Sequence, residues 1–399
     1  MKIDKPQERF DWTLAFIMLL FCLISLFAIA SAQTTGQYKL LSGEFYNFVP
    51  SQIQWYVVGA VIIAITMYLE PEQYKKAAWI IYGGGIFLLA LLIIIPESLE
   101  LVARRNGAKS WFHLPGLGSI QPAEFMKTFF IIGAARLITK HHEKFTEKTL
   151  KTDLFLLGKI GITLFIPLFF IMLQPDLGTS LVFIAITAAL VIVAGISWRI
   201  LLPAFSAVAT IGAILLWAAL YAQDFLQTKL GFNPYQFKRI YSWLDPYSYA
   251  SDEGLHLITS LNAIGSGEIF GKGFKGREVY VMESHTDFIF TTIGEDWGFI
   301  GASLVICMYF FLIYHLTKIT LELKDPFSTY ICAGIVAMIT FHVFQNIGMT
   351  IQLLPITGIP LPFISYGGSS LMGNMLAIGL VFSMKFHHKT YMFSSDDEE

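Results

Sequence analysis

The chain has 399 residues, of which 55% are hydrophobic and 14% charged, and its mean hydropathy is +0.61. A soluble domain carries roughly 25% charged residues, so this composition excludes an ordinary soluble enzyme and points to an integral membrane protein. The formal charge of -2 offers no polybasic signal for nucleic acid, and the three cysteines, Cys22, Cys307 and Cys332, lie in apolar runs without disulfide or zinc-ligand spacing. They read as small core residues.

The first apolar run, Thr13 to Ala32, has about the 20 residues a spanning helix needs. Ala30-Ser31-Ala32 looks like a signal-peptidase site behind Lys2, Lys5 and Arg9, but the run is too long for a signal h-region and its flank is mixed with acids. Further runs follow at about 52–69, 77–95, 124–139, 154–173, 177–195, 199–222, 299–317, 328–353 and 368–386. The expected fold is therefore all-α and polytopic, a single membrane domain of ten transmembrane helices. One large extracellular loop, 223–285, joins spans 7 and 8, and 387–399 forms a cytoplasmic tail. Orientation follows the basic residues near the span ends. With the N-terminus inside, the short inner segments hold most of them, including Lys75, Lys76, Lys140, Lys144, Lys148 and Lys151. The short outer segments hold Lys39, Arg104, Arg105 and Lys109. Both termini are then cytoplasmic.

Polar residues concentrate on the outer side. Arg104 and Lys109 lie ahead of Gln121-Pro-Ala-Glu-Phe-Met-Lys127, where Glu124 and Lys127 share one helix face. They read either as a structural ion pair or as an ammonium, oriented by Glu124, for an anionic ligand. Arg136 and Lys159, near the inner ends of their spans, are expected to snorkel. In Gln174-Pro-Asp-Leu-Gly-Thr179 the expectation is that Asp176 caps the next helix. The glycines of Gly265 to Gly276 suit either a diphosphate cradle helped by Lys272, Lys275 and Arg277, or plain loop geometry.

The richest stretch is Glu283-Ser-His-Thr-Asp-Phe-Ile-Phe290, continuing through Gly294-Glu-Asp-Trp-Gly298. It places Glu283, His285 and Asp287 where a polar loop meets an apolar run, a costly position for ionisable groups. Asp287 or Thr286 can cap a helix there, and Asp287 can equally serve as a base. His342, Gln345 and Asn346 sit inside the ninth span. The joint that follows, Leu354 to Ser370, contains Pro355, Pro360, Pro362, Gly358, Gly367 and Gly368, which forbid a regular helix. Such backbone at membrane depth must be buried in protein or line a polar cavity, so the joint is expected to re-enter and face Asp287.

These segments, with Pro355-Ile-Thr-Gly-Ile-Pro-Leu-Pro-Phe-Ile-Ser-Tyr-Gly-Gly-Ser369, resemble the signatures of the SEDS family (RodA, FtsW and SpoVE), and the chain is most like the RodA branch. The resemblance implies a bacterial cytoplasmic-membrane peptidoglycan glycosyltransferase that polymerises lipid II at the outer face. It implies a class B penicillin-binding protein as transpeptidase partner, with other elongation or division proteins and membrane lipids around it. It carries the catalytic role onto Asp287 and a substrate-cavity role onto Lys127 and the segment Ser365 to Ser369. Departures are Met282-Glu283 where the family often has Pro-Glu, Ser110-Trp111 for Arg-Trp, and Asp296 where a second Glu is usual.

An inverting transfer needs one base and a holder for the leaving diphosphate. Asp287 is the expected general base, with Glu283 raising its pKa if the helix begins before it. Lys127, with Lys109 or Arg104, is expected at the diphosphate. His285, Gln345, Ser365, Gly367, Gly368 and Ser369 line the substrate cavity. No protein metal site is expected, although a divalent cation (Mg or Mn) can share the diphosphate task. A lipid II flippase and a non-catalytic scaffold for a penicillin-binding protein are the rival readings.

Overall fold

The computed structural model describes residues 10–33, 48–95, 101–102, 109–114, 118–222, 234–250 and 253–388. Ten long helices coincide with the ten apolar runs: α1 (Trp12–Ala32), α2 (Phe48–Tyr68), α3 (Pro71–Ile94), α4 (Pro122–Lys144), α5 (Leu150–Leu173), α6 (Leu177–Val193), α7 (Trp198–Tyr221), α10 (Ile289–Glu322), α11 (Pro326–Thr350) and α12 (Gly368–Phe386). Eight of them are long and apolar enough to cross a membrane. The two others are α6, apolar but 17 residues long, and α4, which carries two buried charges, Glu124 and Lys127, and others at its C-terminal end. The long loop is partly helical, with α8 (Pro234–Leu244) and α9 (Glu253–Ser266). One small departure from an all-α reading is a hairpin, β1 (Phe112–Leu114) antiparallel to β2 (Gly118–Ile120).

The helix starts are set by local chemistry. Asp11, Thr149, Asp176 and Asp325 each accept from a backbone N–H of the first turn of α1, α5, α6 and α11. Lipid-facing surfaces are apolar, as in Phe16, Leu19, Leu23 and Phe27 of α1. By contrast α4, α11 and α12 are buried almost throughout and form the centre, where polar side chains collect. Among the cysteines only Cys332 is fully buried; Cys307 lies on the outside of α10, so the core reading fails for it.

Helix α10 is broken at Gly298 (φ 61°, ψ -156°). Residues Ile289 to Asp296 before the break are buried, and the exposed apolar face begins at Phe299. The break strands backbone groups that the glycine-rich loop satisfies. Phe299 N–H and Ile300 N–H donate to the carbonyls of Glu268 (2.9 Å) and Ile269 (3.2 Å). Lys272 N–H and Gly273 N–H donate to those of Glu295 (3.0 Å) and Asp296 (2.9 Å). Such an exchange requires main chain against main chain: a Cβ on Gly271 would stand 2.1 Å from the Asp296 carbonyl oxygen, and one on Gly267 2.0 Å from that of Gly294. The diphosphate-cradle reading of this loop is thereby corrected. Two of its three cations are also spent, because Lys272 (3.1 Å) and Arg277 (3.3 Å) both pair with the buried Glu295 carboxylate, which also accepts from the N–H groups of Glu278 and Val279, while Lys275 is exposed beside the Phe274 ring.

Candidate active site

Asp287 lies in a tight turn just ahead of α10. Glu283, at φ 54°, accepts from the N–H groups of Thr286 (3.1 Å) and Phe288 (3.2 Å), and its carboxylate accepts from the Thr286 hydroxyl at 2.9 Å. Helix α10 therefore begins after Glu283, so the helical condition for its influence on Asp287 is not met, yet the turn brings its charge to bear on Asp287 all the same. Phe288 occupies the N-cap with no side-chain cap bond, so neither Thr286 nor Asp287 caps the helix.

The re-entrant joint is stitched to this turn through backbone carbonyls. Tyr366 N–H donates to His285 O (2.8 Å), the Ser365 hydroxyl to Thr286 O (2.7 Å), and Asn346 Nδ2 to Asp287 O (2.7 Å). Asn346 Nδ2 also donates to Ile359 O at 2.8 Å, and Gln345 Nε2 to Pro355 O at 3.0 Å, so α11 grips both sides of the joint. The Asp287 carboxylate itself accepts no hydrogen bond from the described residues, and Gly358 of the joint passes so close that an added Cβ would stand 3.4 Å from Oδ2.

Electrostatics at Asp287 follow from this packing. Desolvation pushes its pKa up first, the Glu283 and Asp176 charges add to the rise, and the Arg239 guanidinium of α8 opposes it, leaving the group at about 7. Desolvation holds the neighbouring His285 imidazole below its ordinary value against the pull of Glu283, and the ring stacks on Phe48 with centroids 4.5 Å apart. Helix α8 is held over the joint by a reciprocal pair: Trp243 Nε1 donates to Gln352 O (3.0 Å) and Gln352 Nε2 to Trp243 O (3.1 Å).

Asp176 caps α6 as expected, accepting from Thr179 N–H at 2.9 Å, and its second oxygen accepts from Gln121 Nε2 at 3.1 Å. Three residues beyond Gln121, Glu124 and Lys127 form a buried ion pair at 2.9 Å, and Lys127 Nζ also donates to His342 Nε2 at 3.1 Å. His342 is one turn of α11 away from Asn346, so this pair lies one turn deeper than the clamp on Asp287.

Several expected cavity residues are occupied by the fold. The Ser365 hydroxyl accepts from Leu361 N–H (2.8 Å) while donating to Thr286 O, and the Ser369 hydroxyl accepts from Gln121 N–H (2.9 Å) while donating to Ser119 O (3.1 Å). Lys109 donates to the carbonyls of Ile93 and Ile95 at the end of α3. Gly367 precedes α12, and Gly368 lies under the Trp55 indole, where a Cβ would come within 2.6 Å. Arg104 is outside the described residues. Among the described residues no group of three or more His, Cys, Asp or Glu side chains is arranged to hold a metal ion. Arg239 and Asn346 were missing from the expected set. Nothing in the loop's composition distinguishes Arg239 from its basic neighbours, whereas an amide inside an apolar span was a readable signal for Asn346.

Comparison with known proteins agrees with this architecture. The chain is 31% identical to stage V sporulation protein E of Bacillus subtilis (94% of this chain, 96% of the relative) and 29% identical to the peptidoglycan glycosyltransferase RodA of Treponema pallidum (94% and 97%). It superposes on a chain from a solved peptidoglycan synthase complex that coordinates polymerization and crosslinking, with a TM-score of 0.74, 24% identity and coverage of 94% and 97%. A family model described as cell cycle protein, FtsW/RodA/SpoVE, matches residues 11–390, and with the membrane bundle around Asp287 this establishes that the chain belongs to that family.

Proposed function

We propose that this protein is a peptidoglycan glycosyltransferase that polymerises lipid II, acting in cell elongation or division, with Asp287 as its general base. Relatives over nearly the full chain carry that activity in their names. The observation that carries the residue assignment is a carboxylate without a hydrogen bond from the described residues, raised to about 7 and held by its backbone rather than by its side chain. A base works best with a pKa near working pH. The acceptor sugar hydroxyl would give its proton to Asp287 as its oxygen attacks the donor's anomeric carbon, and the diphosphate departs with the bonding electron pair. Inversion follows from that single displacement.

Cations must meet the leaving group. Lys127 has one N–H left after Glu124 and His342, but Glu124 balances its charge, and the Arg239 guanidinium is a second cation whose charge reaches Asp287. A divalent cation brought with the diphosphate would supplement these charges. In this reading the protein lies in the cytoplasmic membrane with both termini inside and the 223–285 segment outside, which the basic residues of the short inner segments support, and its likeness to a chain of a peptidoglycan synthase complex supports a class B penicillin-binding protein as crosslinking partner.

The test is polymerisation of labelled lipid II by the purified protein, with and without that partner, its crosslinking site blocked. Wild type should give glycan ladders and Asp287→Asn should lose at least roughly a hundredfold in rate. Ladders of equal intensity from Asp287→Asn would remove the base assignment, and none from wild type in either setting would remove the polymerase.

A further inference from the structure

At the end of the bundle opposite Asp287, the C-terminus of α4 and the N-terminal half of α5 build a cationic pocket that the polymerisation reaction does not use. Lys159 lies on α5 about 13 Å along the axis from Leu150, at ~1.5 Å per residue. It is half-buried, its ammonium stands 4.2 Å from the centroid of the Phe155 ring, and it reaches His141 Nδ1 at 3.4 Å. Phe145 closes the pocket, with its ring centroid 5.9 Å from the same ammonium. Lys140 and Lys144 lie near enough for their charges to act on Lys159.

No carboxylate pairs with Lys159 among the described residues. The nearby acids are committed elsewhere: Asp153 accepts from Ser197 N–H at 2.9 Å, and Glu143 pairs with Lys75 at 3.1 Å. Glu147 is exposed in the α4–α5 connection. His141 can accept from the ammonium only as a neutral imidazole, so it supplies no counter-charge. An ionised group at this depth is costly unless something anionic meets it. The ammonium snorkels as expected, back over Phe155 toward the inner helix ends, and there it meets Lys140 and Lys144 rather than an anion.

We propose that this pocket binds the phosphodiester headgroup of an anionic phospholipid. Lys159 and Lys144 would meet the phosphate, and the exposed flank of Leu154, Phe155 and Ile162 would receive an acyl chain. A free phosphate ion fits the cations but makes no use of that flank, whose exposed apolar side chains adjoin the ammonium. Basic pockets between helix ends recognise lipid phosphates in this way.

The test uses the full-length protein in a neutral detergent, exchanged into an equimolar mixture of dioleoyl phosphatidylglycerol and dioleoyl phosphatidylcholine, with bound lipid counted by native mass spectrometry. Wild type should hold the anionic phosphatidylglycerol in excess. Lys159→Gln should reduce that excess about fivefold, the worth of one cation near a lipid surface, and Lys159→Arg should keep most of it. Lys318→Gln, an equal loss of charge on α10, should leave it unchanged. Equal retention of the two lipids by wild type, or a loss in Lys318→Gln as large as in Lys159→Gln, would overturn the proposal, as would displacement of the bound lipid by millimolar inorganic phosphate.

Discussion

The buried Glu124–Lys127 pair allows its structural and catalytic roles to be separated. Both side chains are almost inaccessible, at 5% and 1% exposure, and Lys127 is shared with His342. Lys127→Met leaves the Glu124 carboxylate buried without its counter-ion, which costs about 3–5 kcal/mol. Replacing both, Glu124→Leu with Lys127→Met, removes both charges and leaves only His342 Nε2 without a donor, a cost of about 1–3 kcal/mol. Lys127→Met removes the His342 donor as well, so that cost is common to both variants, and the double variant is expected to be more stable than the single one by about 3 kcal/mol or more, read from unfolding of the purified protein. Activity should not follow stability. If the Lys127 ammonium meets the leaving diphosphate, both variants should polymerise lipid II about a hundredfold more slowly or worse. A double variant that regains stability and polymerises within roughly threefold of wild type would reduce Lys127 to a strut and leave the diphosphate to other cations.

Polymerisation rate should fall as pH drops through about 7, because protonation removes the Asp287 base. Glu283→Gln removes a charge that raises the Asp287 pKa, so the acid limb should move to lower pH, while Arg239→Gln should move it higher; a shared direction, or no limb, would contradict the assignment. Gly358 has φ 71°, so Gly358→Ala forces an L-residue into the left-handed region at about 1 kcal/mol and sets a methyl in van der Waals contact with Asp287 Oδ2, at 3.4 Å. Its rate should drop at least about tenfold on the scale of small active-site misplacements, while Gly83→Ala, with open space around it, should be neutral. Asn346→Leu deprives the Asp287 and Ile359 carbonyls of their shared donor, at about 1–3 kcal/mol each, and should speed hydrogen exchange across 283–290 and 355–367.

Most of the membrane architecture was legible because lipid makes simple demands on a sequence. Apolar runs of spanning length became the ten long helices, and Asp176 caps α6 because a carboxylate after a proline turn has orphan N–H groups in front of it. The prolines and glycines of 354–370 also read correctly as non-helical backbone. Where reading failed, the cause was close backbone contact between distant segments. Glycines at 267, 271 and 273 look like a ligand loop in one dimension; in three they mend the break at Gly298, a partner about 25 residues away that no local pattern announces.

The same reasoning explains why the site was half visible. Polar residues at an apolar boundary mark a place where chemistry is possible, and Asp287, Glu283, His285, Lys127 and the serines of 365–369 all satisfy that criterion equally. Structure divides them by what their side chains already hold. Ser365 and Ser369 are each saturated by one donor and one acceptor from the backbone, and Lys109 seals the end of α3. Asp287 alone among the expected site carboxylates is fixed through its carbonyl, by Asn346, while its carboxylate takes no protein donor from the described residues. Glu124 is neutralised by Lys127, and Glu283 accepts from Thr286. A carboxylate raised by desolvation to about 7 and unspent on the fold is the one we propose takes a proton from a substrate, and residues expected to share the cavity are what hold it there.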